Sequence, residues 1–369
     1  MSRPIKMSGE TVTHAQTVLV ALTDEAGRTG WGEAGSAPLM TGETIGSLYA
    51  SACYLTERMI GAQIDSSETI GALQEKVLYG NASAKGAHET AAMDLLAQRA
   101  GVPLYQFLTG QGHENTVTGV CKLEMLHMLA SGSLEGELEE ARTLRAQGYR
   151  HWKIKVGVGD TAYDVKRIAA IVPQLKGDVV SADANMALSY EAGDAIADAG
   201  AAHGLDFLEQ PFHTGSISAM ARLHSRTGIA LCADESIQSV DDIAEHNEAG
   251  AAQGVSLKLI KLGGVAPMVA AGRLALSRGM KLNLACKVAE STIAAAATAH
   301  AGFAIGDIAW GYSMSNRYLR ADVCGEALAP VNGAISTEQF QRPGLGYTPE
   351  AARLSDFASR EWRMREYTA

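Results

Sequence analysis

Eight short apolar runs alternate with amphipathic helical stretches from about residue 117 onward, and this alternation constrains the fold more than any other feature of the sequence. Most of the runs end in polar residues. They lie at residues 118–123, 151–155, 179–183, 205–209, 229–234, 255–259, 281–285 and 307–311. Alternation of this kind predicts parallel strands joined by helical crossovers.

Eight strand–helix units predict a closed barrel of the (β/α)8, or TIM, type, which belongs to the α/β class. A doubly wound open sheet is the rival architecture. It is disfavoured because no glycine-rich dinucleotide-binding fingerprint follows any of the predicted strands.

The first ~110 residues have a different pattern and predict an α+β domain. A run rich in β-formers at residues 17–22, a turn, and a second strand opening at Trp31 predict a hairpin. A helix is predicted over residues 84–100, because Gly101 and Pro103 form a common helix stop. The predicted domains are an N-terminal α+β domain, a TIM-type barrel and a C-terminal segment that returns to the first domain, at residues 1–112, 113–325 and 326–369.

The composition of the 369-residue chain is ordinary for a globular protein, with 47% hydrophobic and 20% charged residues. A net charge of −10 without a basic stripe disfavours nucleic-acid binding. No apolar run approaches the ~18 residues of a membrane span, and residues 1–10 lack the apolar core of a signal peptide. We therefore expect a cytoplasmic protein that binds neither nucleic acid nor membrane, with its five scattered cysteines reduced.

Charged residues stand at the ends of five consecutive predicted strands. They are Lys155, Asp183, Glu209, Asp234 and Lys258, and successive members are 24 to 28 residues apart. Each step is one strand–helix unit. All five side chains are therefore expected at the same rim of the barrel, the C-terminal face on which barrel enzymes carry out their chemistry.

The three carboxylates of this set predict a metal site. Asp183, Glu209 and Asp234 would repel one another strongly at close range without a counterion. A hard divalent cation resolves that repulsion, and all-oxygen ligands favour Mg²⁺, with Mn²⁺ possible. The lack of His and Cys in the set argues against Zn²⁺.

The lysines on either side of the carboxylates predict acid–base chemistry. In a closed barrel, Lys155 and Lys258 lie across the metal from each other, and strand alternation places Lys153 on the same face as Lys155. Cationic neighbours lower a lysine's pKa toward the value that a general base needs. The predicted reaction is removal of the proton α to a carboxylate, with the enediolate stabilised by the metal. Two opposed bases allow epimerisation, whereas one base supports elimination or cyclisation.

These motifs resemble the enolase superfamily, specifically its mandelate racemase/muconate lactonizing enzyme subgroup, over nearly the whole chain. KIK (153–155), DAN (183–185), EQP (209–211), DES (234–236) and LKL (257–259) follow the family's order and spacing, and residues 30–34 and 92–110 resemble its N-terminal capping domain. The resemblance implies Asp183, Glu209 and Asp234 as metal ligands and Lys155 and Lys258 as the acid–base pair. It also implies supporting roles for Lys153, Glu235 and Asn185. Lys153 is in addition a candidate catalytic residue.

The sequence departs from the family pattern in three places. The family's first strand is short or absent, so residues 5–11 are expected to form an unusual lid. Lys287 stands where small residues are common, near the expected acidic residue Glu290, and is interpreted either as a cation for a second anionic group of the substrate or as a structural salt-bridge partner. Residues 309–316 lack the DxD pattern of dipeptide epimerases, which disfavours Ala-Glu-type dipeptides.

The leading hypothesis is a racemase, epimerase or cycloisomerase that acts on a small carboxylic acid or amino-acid derivative, and we expect a homo-oligomer. The alternative is a lyase on the same scaffold, either a syn-dehydratase of a hydroxy acid or an o-succinylbenzoate-synthase-like enzyme, which needs only one lysine base. A Schiff-base aldolase and a non-catalytic binding protein are further alternatives. The substrate itself is set by loops whose specificity the sequence does not reveal.

Overall fold

The N-terminal domain consists of short strands followed by helices. In the computed structural model, which describes residues 1–2, 4–7, 10–110, 119–359 and 364–368, it begins with two antiparallel hairpins. Its elements are β1 (Ile5–Met7), β2 (Glu10–Val12), β3 (Thr17–Thr23), β4 (Thr29–Gly35), α1 (Ile45–Met59), α2 (Ser67–Val77), α3 (Ala82–Ala100) and α4 (Leu104–Gly110). The predicted hairpin is confirmed as β3–β4, and the predicted helix as α3, which ends at Gly101 with φ +72°.

Helix α3 lies directly on strand β4, and two glycines of the GWGEA motif at residues 30–34 make this close approach possible. A Cβ atom at Gly32 would lie 1.9 Å from the carbonyl oxygen of Ala87, and one at Gly30 would lie 2.1 Å from that of Ala91. Both obstacles are helix backbone, which cannot move aside without displacing α3. The motif is therefore a packing requirement of the domain.

The barrel contains eight parallel strands in sequence order. After the short strand β5 (Lys122–Glu124), its elements are β6 (Leu126–Leu129), α5 (Leu134–Ala146), β7 (His151–Lys155), α6 (Thr161–Ile171), β8 (Val179–Asp183), α7 (Tyr190–His203), β9 (Phe207–Glu209), α8 (Ile217–Thr227), β10 (Leu231–Ala233), α9 (Val240–Glu248), β11 (Gly254–Leu257), α10 (Leu259–Leu262), α11 (Val265–Ser277), β12 (Lys281–Ala285), α12 (Thr292–Ile305) and β13 (Tyr312–Ser313). A parallel bridge between Met125 and Tyr312 brings the first and last strands together.

The predicted strand at residues 118–123 is wrong as a barrel strand. Residues 122–124 form β5, which pairs antiparallel with β14 (Ala334–Ser336) outside the barrel. The first barrel strand is β6, all four of whose residues are buried, whereas β5 exposes Lys122. Thr118 itself lies outside the described residues.

The last predicted strand, at residues 307–311, starts too early. Trp310 and Gly311 already hydrogen-bond to β12, but the positive φ of Gly311 (+81°) interrupts the extended backbone, and β13 begins at Tyr312. The other six predicted runs overlap the observed strands, and the predicted α/β barrel with a smaller N-terminal domain is confirmed.

Segments at both ends of the chain contact the rest of the molecule. A short helix, α13 (Ala351–Phe357), follows β14. The Leu345 N–H donates to Asp94 of α3, so the C-terminal segment contacts the N-terminal domain, while the domain boundaries near residues 112 and 325 remain predictions. The predicted lid at residues 5–11 includes Ser8 and Gly9, which lie outside the described residues. Ile5 is buried, and Ser2 donates twice to the carbonyl of Tyr318, beyond β13.

Two carboxylates of the N-terminal domain accept hydrogen bonds from the first turns of barrel helices. Glu33 of β4 accepts from the N–H and hydroxyl groups of Ser291 and from the N–H of Ala294, at the start of α12. Glu89 of α3 accepts from the N–H groups of Val265 and Ala266, at the start of α11. Carboxyl oxygens at a helix N-terminus satisfy otherwise unpaired N–H groups. The capping domain is therefore attached to the barrel by buried polar contacts at the C-terminal face.

No helix in the part of the chain that the structure describes is both long and apolar enough to cross a membrane. All five cysteines are free.

Substitution of Gly32 by alanine is expected to lower the free energy of unfolding by about 3 kcal/mol or more, because the added methyl overlaps the backbone of α3. Gly71, inside α2, has open space around its Cβ position. Gly71→Ala is the matched control and should raise stability by about 0.5–1 kcal/mol, because alanine favours the helix. Urea unfolding of both variants measures the difference, and equal effects would contradict the packing account.

Stability should also depend on pH through Glu89, because burial raises the pKa of this carboxyl to about 7. Because the pKa is higher in the folded state, the contribution of Glu89 to the free energy of unfolding is complete below the unfolded pKa of 4.5. It is lost as the pH rises through about 7. Between about pH 5 and 8, the unfolding free energy should fall with rising pH more steeply in the wild-type protein than in Glu89→Gln. The two slopes should differ by at most about 1.4 kcal/mol per pH unit. Identical slopes in the two proteins would refute this assignment.

Candidate active site

The five charged residues expected at the barrel rim are gathered there. Lys155, Asp183 and Glu209 are the last residues of β7, β8 and β9, and Asp234 and Lys258 directly follow β10 and β11. Lys155 pairs in register with Asp183, and Asp183 with Glu209. The three carboxylates are buried, so their charges interact without screening by bulk water.

Lys155 is held by two oxygen atoms from the end of β8. Its Nζ donates to Asp183 Oδ2 at 2.6 Å and to Asn185 Oδ1 at 2.5 Å. The Asn185 N–H in turn donates to Asp183 Oδ1 at 3.1 Å, which fixes the turn after the strand. Burial would raise the pKa of Asp183, but Lys155 and Lys153 outweigh it and hold that pKa below its usual value.

Lys153 sits on the same face of β7, deeper in the barrel. Its Nζ lies 2.7 Å from Glu209 Oε2 and 3.4 Å from Asp183 Oδ2. Burial alone would lower the pKa of Lys153, but Glu209 and Asp183 raise it well above the usual value. Lys153 therefore remains an ammonium ion and suits the role of a counterion better than that of a base.

Asp234 is paired with two lysines, of which the sequence analysis identified only one. Lys258 Nζ donates to Asp234 Oδ2, and Lys261 Nζ lies 2.8 Å from Oδ1. Lys261 also donates to the backbone oxygens of Asp234 and Ser256. The signal that could have revealed Lys261 is its spacing, since residues i and i+3 of a helical turn lie on the same face.

The two lysines on Asp234 differ in their proton affinity. Burial would lower the pKa of Lys258, but Asp234 and Glu235 raise it, whereas burial prevails at Lys261 and lowers its pKa. Together the two ammonium groups overcome burial at Asp234 and lower the pKa of that carboxyl. Asp234 is therefore ionised throughout the physiological pH range.

Among the three strand-end carboxyl groups, Glu209 is the one whose pKa is raised. Burial, followed by the charge of Asp183, raises the pKa of Glu209 to about 7, although Lys153 opposes this rise. Burial and the like charges on neighbouring strands both disfavour the ionised form. Any added positive charge between the strands would favour ionised Glu209.

Glu235 links two of the strand-end loops. Its Oε1 accepts from Asn185 Nδ2 at 3.0 Å, and its buried Oε2 has no hydrogen-bond partner among the described residues. Burial and the neighbouring Asp234 raise the pKa of Glu235. The loops after β8 and β10 are thereby held together beside the carboxylates.

The donor set suits a hard divalent cation in its chemistry. Asp183, Glu209 and Asp234 supply only oxygen atoms from three adjacent strands. Among the described residues, no three His, Cys, Asp or Glu side chains already surround one point as a finished metal site. The carboxylate oxygens are instead turned toward the lysine ammonium groups. A cation would relieve the repulsion that raises the pKa of Glu209, so the residues fit such a group.

Lys287 and Glu290 lie after β12, against the capping domain. Glu290 accepts from the backbone N–H of Lys287 at 2.8 Å and from that of Gly35 at 3.3 Å. Burial and the charge of Glu33 raise the pKa of Glu290 to about 8. A Cβ at Gly35 would lie 3.2 Å from the Cγ atoms of both side chains. Both proposed roles of Lys287, as a substrate contact and as a salt-bridge partner, remain predictions.

A cavity of about 430 Å³ opens beside Glu235, between the two domains. Leu39, Met40 and Thr41 line it from the capping domain, and Met186, His213 and Glu235 line it from the barrel. Gln238 Nε2 donates to the Met40 carbonyl oxygen across the gap. The loop after β4 thus forms one wall of a cavity whose opposite wall includes Glu235.

Comparison with known proteins matches both domains. The family model described as "Mandelate racemase / muconate lactonizing enzyme, N-terminal domain" matches residues 1–109, and "Enolase C-terminal domain-like" matches residues 137–353. The chain is 28% identical over 306 residues to N-succinyl-L-Arg/Lys racemase of Bacillus cereus, covering 82% of this chain and 80% of that one. It is 29% identical to L-Ala-D/L-Glu epimerase of Bacillus subtilis (94% and 93% covered) and 28% identical to muconate cycloisomerase 1 of Pseudomonas putida (97% and 94% covered).

Solved structures give the same result. The muconate lactonizing enzyme from Pseudomonas fluorescens complexed with muconolactone superimposes with a TM-score of 0.86 at 26% identity, covering 96% of this chain and 95% of that one. The N-succinyl Arg/Lys racemase from Bacillus cereus also gives 0.86 at 26% identity, covering 96% and 93%. With both family models matched and the strand-end residues gathered at one rim, the chain belongs to the mandelate racemase/muconate lactonizing enzyme subgroup of the enolase superfamily, and the relatives that it matches are isomerases of that superfamily.

Proposed function

We propose that this enzyme removes the proton α to a carboxylate in the presence of Mg²⁺, with Mn²⁺ possible, and returns a proton to the resulting enediolate. The substrate is a small carboxylic acid or amino-acid derivative, and the reaction is racemisation, epimerisation or cycloisomerisation. One observation carries the proposal. Lys155 and Lys258 come from β7 and β11, four strands apart in an eight-stranded barrel, with the three carboxylate-bearing strands between them.

Asp183, Glu209 and Asp234 would hold the cation. When bound, it supplies positive charge that pairs with the substrate carboxylate and weakens the proton affinity of nearby lysines. Charge counting supports this. Four carboxyl groups (Asp183, Glu209, Asp234 and Glu235) face four lysines (Lys153, Lys155, Lys258 and Lys261). A divalent cation would turn this balance into an excess of two positive charges, which matches an enediolate dianion.

The two outer lysines act on opposite faces of the α-carbon. Neutral Lys155 accepts the α-proton at Nζ on one face, and the ammonium of Lys258 donates a proton at Nζ on the other. The reverse reaction exchanges these roles. Lys153 and Lys261 stay charged or hydrogen-bonded against Glu209 and Asp234, so they position the carboxylates. Asn185 and Glu235 hold the loops on which those carboxylates stand.

A lyase that uses one base is the second candidate, and one observation favours it. Asp234 and Glu235 raise the pKa of Lys258, so this lysine holds its proton more tightly than an ordinary lysine does. In a syn-dehydratase or an o-succinylbenzoate-synthase-like enzyme, Lys258 would then serve only as an electrostatic partner. The same would apply in a cycloisomerase.

The names of three relatives indicate the kind of substrate to test. They are N-succinyl-L-Arg/Lys racemase, L-Ala-D/L-Glu epimerase and muconate cycloisomerase 1. These names support a choice among N-acylated amino acids, other amino-acid derivatives and dicarboxylic acids. Ala-Glu-type dipeptides stay disfavoured because residues 309–316 lack the DxD pattern. We further propose that the enzyme works in the cytoplasm as a homo-oligomer.

Exchange of the α-proton in D2O tests the two-base assignment. A screen of N-acyl amino acids, cyclic amino acids, muconates and sugar acids with Mg²⁺ first identifies the substrate. Lys155→Ala and Lys258→Ala should then each lower the exchange rate of one enantiomer by about 100-fold or more. The exchange rate of the other enantiomer should fall less. Lys281→Ala, at the exposed start of β12, is the control and should leave both rates unchanged. If Lys258→Ala still exchanges the proton and forms product normally, epimerisation is wrong.

Removal of divalent cations tests the proposed metal site. Treatment with a chelator should abolish exchange, and added Mg²⁺ should restore it. Asp234→Asn should raise the Mg²⁺ concentration needed for half-maximal rate by tenfold or more, because it removes one of the three proposed ligands. Asp198→Asn on the surface serves as the control. Full activity in the chelated wild-type protein would contradict metal dependence.

A further inference from the structure

The short helix that follows Lys258 packs against the capping domain on one side. Ile260 of α10 belongs to the hydrophobic cluster of that domain, together with Leu48 and Ala84. Ser83 Oγ donates to the Ile260 carbonyl at 3.3 Å. A Cβ at Gly86 would lie 3.2 Å from the Leu259 carbonyl, so α3 packs closely on α10.

The next helix, α11, lacks a side-chain cap of its own and receives one from α3. Its N-cap residue is Gly264, which has no side chain to donate or accept. Glu89 takes that place, accepting from Val265 N at 2.7 Å and Ala266 N at 3.1 Å. Ser67 Oγ donates to the same carboxylate at 3.1 Å. The Glu89 side chain is buried, and so is its contact with Val265 N.

The Gly263–Gly264 pair is shaped to receive this carboxylate. Both residues have positive φ, +85° and +130°. A Cβ at Gly264 would lie 2.0 Å from Glu89 Oε2 and would displace the cap. The backbone between α10 and α11 is therefore in direct contact with a side chain from the other domain.

We propose that Glu89 is a positioning residue for Lys258: by fixing the start of α11 against the capping domain, it holds α10 and so sets where the Lys258 ammonium stands beside Asp234. This inference rests on the two-base function proposed above. Only six residues separate Lys258 from Val265, so a shift at the cap is passed on over a short distance. Small displacements of an acid–base group have large effects on rate.

Lys155 is anchored differently, which makes the proposal testable. Its carbonyl oxygen accepts from Arg167 Nη1 at 2.6 Å, and Arg167 is in turn paired with Glu137, so the barrel itself holds this lysine. Loss of the Glu89 cap should therefore disturb one lysine and spare the other. A general loss of folding would affect both.

The experiment compares Glu89→Gln with Glu33→Gln. Both substitutions alter a buried capping-domain carboxylate at the start of a barrel helix, but Glu33 caps α12, away from Lys258. Exchange in D2O is measured from each enantiomer. Glu89→Gln should slow the Lys258-dependent exchange about tenfold more than the Lys155-dependent exchange, and Glu33→Gln should leave their ratio at the wild-type value. An unchanged ratio in Glu89→Gln overturns the proposal.

A second measurement needs no substrate and so separates this proposal from the proposed function. Acetylation by acetic anhydride, followed by mass spectrometry, reports the reactivity of each lysine. Glu89→Gln should accelerate labelling of Lys258 and Lys261 at least tenfold relative to Lys155, and Glu33→Gln should not. Ser67→Ala, which removes one donor to Glu89, should move the labelling in the same direction by less and covers the case in which Glu89→Gln fails to fold. Equal labelling across all variants overturns the positioning role whatever the exchange assay shows.

Discussion

The whole site depends on the burial of several carboxylates on neighbouring strand ends. Asp183, Glu209 and Asp234 cannot all be ionised there without compensating positive charge. The protein supplies it through two lysines from β7 on one side and two from the segment after β11 on the other. The ionised form is still disfavoured at Glu209, whose pKa is raised to about 7 by burial and by Asp183. The proposed divalent cation would add two positive charges for an anionic substrate to balance, which fits these residue types in this order.

The capping domain contributes more than a cover. Its glycines at 30 and 32 let α3 lie on β4. Helix α3 then presents Glu89 to α11, and β4 presents Glu33 to α12. In both places a carboxylate of one domain replaces a cap that the barrel helix would otherwise need from its own sequence. The two domains therefore form one polar interface at the catalytic rim, and the backbone around Lys258 is part of that interface.

Much of this could be predicted from the sequence, because strand ends recur at a regular spacing and charged residues there are rare without function. The positions of Asp183, Glu209 and Asp234 followed from that regularity, and so did the barrel. Lys261 was missed because its i+3 spacing from Lys258 indicates the site only if the residues after Lys258 form a helix, and a strand was predicted as far as residue 259. The cap made by Glu89 joins residues 176 apart in the sequence, and no local pattern encodes such a contact. The first strand was misplaced because residues 122–124 also form a strand, which pairs with β14.

The central claim is that Lys155 and Lys258 stand on opposite faces of the substrate's α-carbon, with the cation held by the carboxylates between them. A crystal structure with Mg²⁺ and a carboxylate substrate found by the exchange screen tests it most directly. The account predicts one cation bound by Asp183, Glu209 and Asp234, with the two lysine Nζ atoms on opposite sides of the α-carbon. A cation bound elsewhere, or both Nζ atoms on the same face, would contradict it.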